Sequence, residues 1–126
     1  MTDLDPRFQP IAEKLLQGCR AIEPMRVVCT LRTAAEQADA VARGVSKTLK
    51  SLHLAQPCCG KSHAIDICPE RLLSEKGWAP KDPIWEQMRT VGRILGLKCD
   101  IPWDKPHFEW HPLPEVPNAA NANPQP

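Results

Sequence analysis

Ser62-His63-Ala64-Ile65-Asp66-Ile67-Cys68 is the stretch around which the chain organises. Its period of two predicts a strand over 63–68, with Ala64, Asp66 and Cys68 on one face and Ile65 and Ile67 on the other. Asp66 is then expected to face away from the isoleucine core. Upstream, Val45 to Lys61 loses periodicity, and Pro57 and Gly60 predict a long loop. Before that loop, Thr33-Ala34-Ala35-Glu36 has the spacing of a capping box and opens an alanine-rich helix ending at Gly44. Met25 to Leu31 reads as a short strand ahead of it.

Further back, Phe8, Ile11, Ala12, Leu15, Leu16 and Cys19 are spaced as one face of a helix, with Asp5 as its expected N-cap and Pro6 at its first position. Downstream, Asp82-Pro83 is another such pair. Ile84, Trp85, Met88, Val91 and Leu95 define the buried stripe of a third helix that stops at Gly96. A turn through Cys99 to Lys105 leads to a last strand over 107–111, where His107, Glu109 and His111 share one face and Phe108 and Trp110 the other. The order helix, strand, helix, strand, helix, strand implies one domain over 1–111. The remaining 112–126, PLPEVPNAANANPQP, is expected as an extended or disordered tail because it has little to bury.

Composition excludes several functional classes. At 126 residues and 42% hydrophobic, the chain can build one core. Sixteen basic and fifteen acidic residues leave a net charge of +1, without the electrostatic footprint of a nucleic-acid binder. No apolar run approaches the roughly 18 residues a membrane helix needs, and the first ten residues, MTDLDPRFQP, have neither the basic nor the apolar region of a signal peptide. The expectation is a soluble, monomeric protein made in the cytoplasm. Six cysteines, Cys19, Cys29, Cys58, Cys59, Cys68 and Cys99, form no CxxC pair and read as reduced, mainly structural thiols. Cys58-Cys59 could bind a second metal or pair on oxidation, but adjacent cysteines rarely share one tetrahedral ion, so packing is the expectation.

Two imidazoles and a carboxylate that converge make a three-ligand zinc site with an open fourth position, and a further carboxylate beside it can handle protons. His53 from a loop and Asp66 and His107 from strands are candidate ligands for one zinc ion. Asp104 precedes His107 across a proline turn, a plausible place from which to take and return the proton of an attacking water. Arg32, at the end of the first strand, could carry positive charge towards an oxyanion. His63 lies on the same extended segment as Asp66 but on the opposite face, which favours His53; with His111 it reads as a hydrogen-bonding residue. Spacing alone does not establish this set.

The landmarks taken together resemble a family, the zinc peptidases of bacterial cell-wall metabolism that include VanY-like D-alanyl-D-alanine carboxypeptidases and the L-alanyl-D-glutamate endopeptidases of phage endolysins. The resemblance runs from about Val27 to Trp110 and rests on Leu31-Arg32-Thr33, Glu36-Gln37, Gly44-Val45-Ser46-Lys47-Thr48, Ser51-Leu52-His53-Leu54, Ala64-Ile65-Asp66-Ile67 with Pro69, Trp85, Leu95-Gly96-Leu97 and Asp104-Lys105-Pro106-His107-Phe108-Glu109, in that order. It implies a small α+β domain of the hedgehog/DD-peptidase kind, with helices packed on an antiparallel sheet. It implies His53, Asp66 and His107 as zinc ligands, Asp104 as the catalytic carboxylate and Arg32 as the arginine for substrate or transition-state charge. Ser51 matches the serine beside the first ligand, and Trp103, next to Asp104, is expected to flank the substrate cleft.

Two departures mark this chain. His53 and Asp66 are separated by an interval holding Ala55-Gln56-Pro57-Cys58-Cys59-Gly60-Lys61, where the family has a short stretch with a glycine, and Lys98 to Trp103 is shorter than the stretch common in relatives. The implied activity is hydrolysis of an amide bond in the peptide stem of peptidoglycan, of the L-alanyl-D-glutamate endopeptidase or D,D-carboxypeptidase type. The implied setting is phage or prophage lysis, with the enzyme released or delivered to the wall. The alternative is a non-catalytic, zinc-stabilised wall-binding or phage structural module of the same fold, which would have no need of Asp104.

Overall fold

Three antiparallel strand segments and three helices follow one another in the order α1 (Gln9–Arg20), β1 (Met25–Cys29), α2 (Ala34–Ala42), β2 (Ala64–Pro69), α3 (Ile84–Ile94) and β3 (His107–Glu109), with two single 3₁₀ turns between β2 and α3. They come from a computed structural model that describes residues 1–44, 46–47 and 51–112. Apart from Pro112, the tail expected over 112–126 lies outside the described residues. β2 is the central strand, paired with β1 on one side and β3 on the other. The fold is α+β, as expected.

α1 begins later than its sequence suggests. Pro10 sits in the first turn, where its missing N–H costs nothing, and the helix starts at Gln9. Asp5 does not cap it. Its carboxylate instead accepts from the Arg7 amide at 2.8 Å, the Arg7 guanidinium at 2.8 Å and His63 Nε2 at 3.0 Å. Phe8, Ala12, Leu15, Leu16 and Cys19 are buried as the helical spacing predicts, while Ile11 only borders the core. At α2 the capping box forms as read: Glu36 N donates to Thr33 Oγ1 at 3.1 Å and Thr33 N to Glu36 Oε1 at 2.8 Å, a pair worth about 1 kcal/mol. The strand before it ends at Cys29 rather than Leu31.

β2 departs from the one-sided pattern expected of it. All six residues are buried, because the face holding Ala64 and Cys68 is covered as fully as that of the isoleucines. Asp66 alone among Ala64 to Cys68 keeps contact with solvent, at 9% exposure against 0% for the other four. Register then places the chemistry. Asp66 lies opposite Cys29 on β1 and opposite His107 on β3, and directly paired residues of an antiparallel sheet share a face.

α3 closes the core with Ile84, Trp85 and Met88; Pro83, not Asp82, takes its N-cap position, without a side-chain cap, and Asp82 Oδ1, one residue further back, accepts from Ile84 N at 3.0 Å. The expected stripe shifts slightly: Arg89 and Gly92 are buried, while Val91 and Leu95 pack at the margin. Gly92 allows α3 to lie against β3, since a Cβ there would stand 2.8 Å from Phe108 Cδ2. Arg89 reaches out from the helix to donate to Ile101 O at 2.5 Å, and Asp104 N donates to the same carbonyl at 3.2 Å. The turn carrying Asp104 is thereby tied to α3. β3 is shorter than expected, ending at Glu109, although Phe108 is buried and Trp110 borders the core on that same side as the alternation requires.

Candidate metal centre

Two imidazoles close on a single carboxylate oxygen. His53 Nε2 lies 3.0 Å and His107 Nδ1 3.1 Å from Asp66 Oδ1, with the two rings edge to face and their centroids 5.0 Å apart. The backbone fixes each contributor differently. His107 stands beside Asp66 by strand register, whereas the His53 loop is pinned by Arg32 N donating to His53 O at 2.9 Å and by His53 N donating to Ser51 Oγ at 3.1 Å. Ser51 thus shapes the turn that presents the imidazole.

The outer edges of both rings are also occupied, and this decides which nitrogen faces inward. A carbonyl only accepts, so the 2.8 Å contact between His53 Nδ1 and Thr30 O puts the proton on Nδ1 and leaves Nε2 for the centre. Glu109 Oε1, 2.8 Å from His107 Nε2, does the same for the second ring and leaves Nδ1 inward. Glu109 Oε2 takes a further hydrogen bond from His111 Nε2 at 2.7 Å. An imidazole whose far nitrogen is held by a carbonyl or carboxylate is the usual form of a metal-ligating histidine. Two such imidazoles and a buried carboxylate are a donor set that zinc accepts. These donor types are compatible with the ion, although the ligand atoms that lie within 4.8 Å of one another at this centre belong to His53, Asp66 and Cys29, with His107 Nδ1 3.1 Å from Asp66 Oδ1.

Charge at the centre follows from these contacts. Burial works to raise the Asp66 carboxyl, but the hydrogen bonds and positive charges of His107 and His53 outweigh it and hold the group well below the usual carboxylate range. Burial works to lower both imidazoles, yet Asp66 lifts them, His53 to about 10 with help from Cys29 and His107 to about 9 with help from Glu109. Glu109, drawn upward by burial, is brought down to about 2 by His107 and His111. Asp104 moves the other way. Burial and the neighbouring Asp66 charge raise it, opposed by His107, His53 and Arg32.

The seven residues expected to bind metal or substrate or to carry the chemistry line one cleft of about 250 Å³: Arg32, Ser51, His53, Asp66, Trp103, Asp104 and His107. Asp104 Oδ2 is 3.8 Å from His107 Nδ1, near the inward edge of that ring. Arg32 Nη2 is 3.8 Å from Asp66 Oδ2 while its Nη1 donates to Gln37 Oε1 at 2.7 Å. Trp103 is half exposed at the rim, with Lys47 Nζ 5.2 Å over its ring. A larger, open hollow of about 790 Å³ between β1 and α2 meets this cleft only at Arg32 and holds none of the other six.

Two participants escaped the sequence reading. Cys29, taken as a plain strand residue, sits 3.6 Å from His53 Nδ1 and accepts from Arg32 Nη2 at 3.5 Å, and its sulfur joins His53 and Asp66 in a group of potential ligands within 4.8 Å of one another. Glu109 was placed on the correct face but given no task. Its spacing of two from both His107 and His111 on a strand was the available signal. His63 lies outside the cleft, bonded to Asp5, in keeping with the hydrogen-bonding role expected of it. His111 reaches the cleft wall.

Among solved structures, the chain is similar to the Serratia marcescens L-Ala D-Glu endopeptidase ChiX, with a TM-score of 0.55 and 25% sequence identity over 87% of this chain and 82% of that one. No protein-family model matches the chain, and no curated protein does. No helix among the described residues is long and apolar enough to cross a membrane.

Proposed function

We propose that this protein is a zinc peptidase that hydrolyses an amide bond in the peptide stem of bacterial peptidoglycan, of the L-alanyl-D-glutamate endopeptidase type. The observation that carries the reading is the pair of imidazoles aimed at Asp66 with their outer nitrogens tied, in one cleft with Asp104 and Arg32. The likeness to an L-Ala D-Glu endopeptidase supports the choice of bond. A lysis setting accords with a wall substrate.

His53, Asp66 and His107 would hold the zinc. Bound there, the ion would supply a Lewis acid that polarises the scissile carbonyl and acidifies water. Asp104 is the proton carrier: its carboxylate takes a proton from the water whose oxygen attacks the amide carbon, and its carboxyl gives that proton to the departing amine nitrogen as the C–N bond breaks. Burial and Asp66 raise its pKa, which suits a group that must hold the proton between the two steps. Arg32, kept from swinging away by Gln37, brings positive charge to the cleft for the oxyanion and for substrate carboxylates. Lys47 stacked on Trp103 adds a second cation at the rim.

The test is to incubate zinc-loaded protein with peptidoglycan and identify released fragments by mass spectrometry, beside Asp104→Asn and His107→Ala. New L-alanine carboxyl and D-glutamate amino termini from wild type alone are expected. Tight zinc binding without any released fragment would replace the enzyme with a non-catalytic wall-binding module.

A further inference from the structure

A second group of ligand-type side chains lies away from the cleft. Asp5 from the N-terminal segment, Cys58 and Cys59 from the loop between His53 and Asp66, and His63 just before β2 bring one donor atom each within 4.8 Å of all the others. Five of the six pairwise separations involve a sulfur. The thiols are 3.4 Å apart, Cys58 Sγ is 3.5 Å from His63 Nε2 and 3.8 Å from Asp5 Oδ2, and Cys59 Sγ is 4.0 Å and 3.3 Å from the same two atoms. His63 Nε2 and Asp5 Oδ2 are 3.0 Å apart. Four donors around a tetrahedral zinc, bonded at about 2.0 to 2.3 Å, must stand about 3.3 to 3.8 Å from one another; four of the six separations fall in that range, and the 3.0 Å and 4.0 Å ones lie just outside it.

From this geometry we infer that Asp5, Cys58, Cys59 and His63 form a closed, structural site for zinc, separate from the cleft. Adjacent cysteines ordinarily diverge, but here a turn folds them together. Cys59 N and Gly60 N both donate to Gln56 O, at 3.2 and 2.7 Å, and Gly60 takes φ +66, which a side chain would resist. The charge also balances. Two thiolates and a carboxylate leave one negative charge around a divalent ion, and Arg7, with Nη2 2.8 Å from Asp5 Oδ2 and 3.8 Å from Cys58 Sγ, offsets it. Thiolate and imidazole donors select zinc over magnesium or calcium.

The surroundings suit a structural ion. Trp110 meets the His63 ring edge-on at 5.1 Å and stacks on Phe8 at 5.9 Å, giving the site an apolar wall, while exposed Cys58 leaves a way in from solvent. The backbone holding the ligands is already paired, with Asp5 N donating to Ser62 O at 3.0 Å and Ser62 N to Asp3 O at 2.9 Å. Four protein donors leave no position for a substrate. The ion would staple the N-terminal segment to the loop that separates His53 from Asp66, and each thiol that binds releases its proton to solvent.

Cobalt and zinc titrations of reduced, metal-stripped full-length protein test this. Wild type is expected to take two equivalents and to show thiolate-to-cobalt charge transfer. Cys58→Ser/Cys59→Ser should lose one equivalent and that absorption, whereas His107→Ala and Cys29→Ser should keep the absorption. A single equivalent without the absorption, or an absorption that survives the double serine variant and vanishes with Cys29→Ser, overturns the site. Alkylation mapping of wild type decides the matter even if the double variant does not fold: zinc should slow modification of Cys58 and Cys59 by about tenfold or more. Equal rates with and without zinc, or a Cys58–Cys59 disulfide whose reduced form takes no ion, overturn it. None of these readouts depends on hydrolysis, so the cleft reading and this one fail separately.

Discussion

His63 and Asp66 stand three residues apart, yet one belongs to a partly buried group built from loop and N-terminal segment and the other to a cleft built from paired strands. In the cleft, register sets Asp66 opposite His107, and the outer edges of both rings are held by Thr30 and Glu109, so the inward nitrogens keep their aim without an ion. In the other group, His63 Nε2 bonds Asp5 across 58 residues of chain, and the thiols contact that pair, each other, Arg7 and the Lys61 carbonyl. A preorganised centre on a sheet can afford an open side for chemistry. A centre assembled from pieces distant along the chain needs all its donors to hold the pieces together.

The largest break in that contrast should come from the cleft ligands. His107→Ala and Asp66→Asn are expected to abolish fragment release, a loss of about 10³-fold or more, with one metal equivalent gone by atomic absorption and the thiolate-bound equivalent kept. Asp104→Asn should lower kcat by about 10² to 10⁴-fold while both equivalents remain. Loss of an ion from that variant would make Asp104 a ligand instead of a proton carrier.

Glu109→Gln sharpens the comparison at the supporting layer. Cleft zinc affinity should fall about 10 to 100-fold in competition with a chelator, because a neutral amide oxygen accepts from His107 Nε2–H more weakly and does not raise the basicity of Nδ1 as a carboxylate does. Gly92→Ala probes the floor beneath β3. Its methyl would meet Phe108 and Cys99, at 2.8 and 3.0 Å, and chemical denaturation should show a loss of about 1 to 3 kcal/mol despite alanine's better helix propensity.

The smallest effect is a change of sign with pH. In metal-free protein the raised imidazoles stabilise the fold fully below their ordinary value of 6.5, and that contribution is lost as pH rises through about 9 and 10. Asp66, held low, contributes above its ordinary 3.8, and its contribution is lost as pH falls below that value. Metal-free Tm should therefore decline from about pH 6.5 upward, whereas zinc-loaded protein, which needs neutral rings, should hold or gain over the same range. Parallel curves would mean that zinc does not bind these imidazoles.

Local signals in the sequence served well where neighbours along the chain decide the outcome. The Thr33–Glu36 box and the alternation of His107, Phe108 and Glu109 are set within a few residues, and they formed as read; Asp82 bonds Ile84 N, but Pro83 holds the N-cap position expected of it. Asp5 failed as a cap because its carboxylate is claimed by Arg7 and by His63, and the second partner is invisible to local pattern. β2 looked one-sided because Asp66 interrupts it; its burial on both faces depends on what the rest of the chain lays over Ala64 and Cys68. The cleft residues were legible through their order along the chain and now line one space. Cys29 was not, since its place depends on pairing with a strand that begins 35 residues later.

That pairing is irregular in one respect. Val27 lies opposite Ile67 and Cys29 opposite Asp66, so β1 spends two residues where β2 spends one, and Val28 is the extra. Without it, Cys29 and everything up to Arg32 would swing to the other side of the sheet. The sulfur and guanidinium beside Asp66 are therefore set by a count of residues: a chain one amino acid shorter at this point would keep the same composition of reactive groups and present a different cavity wall.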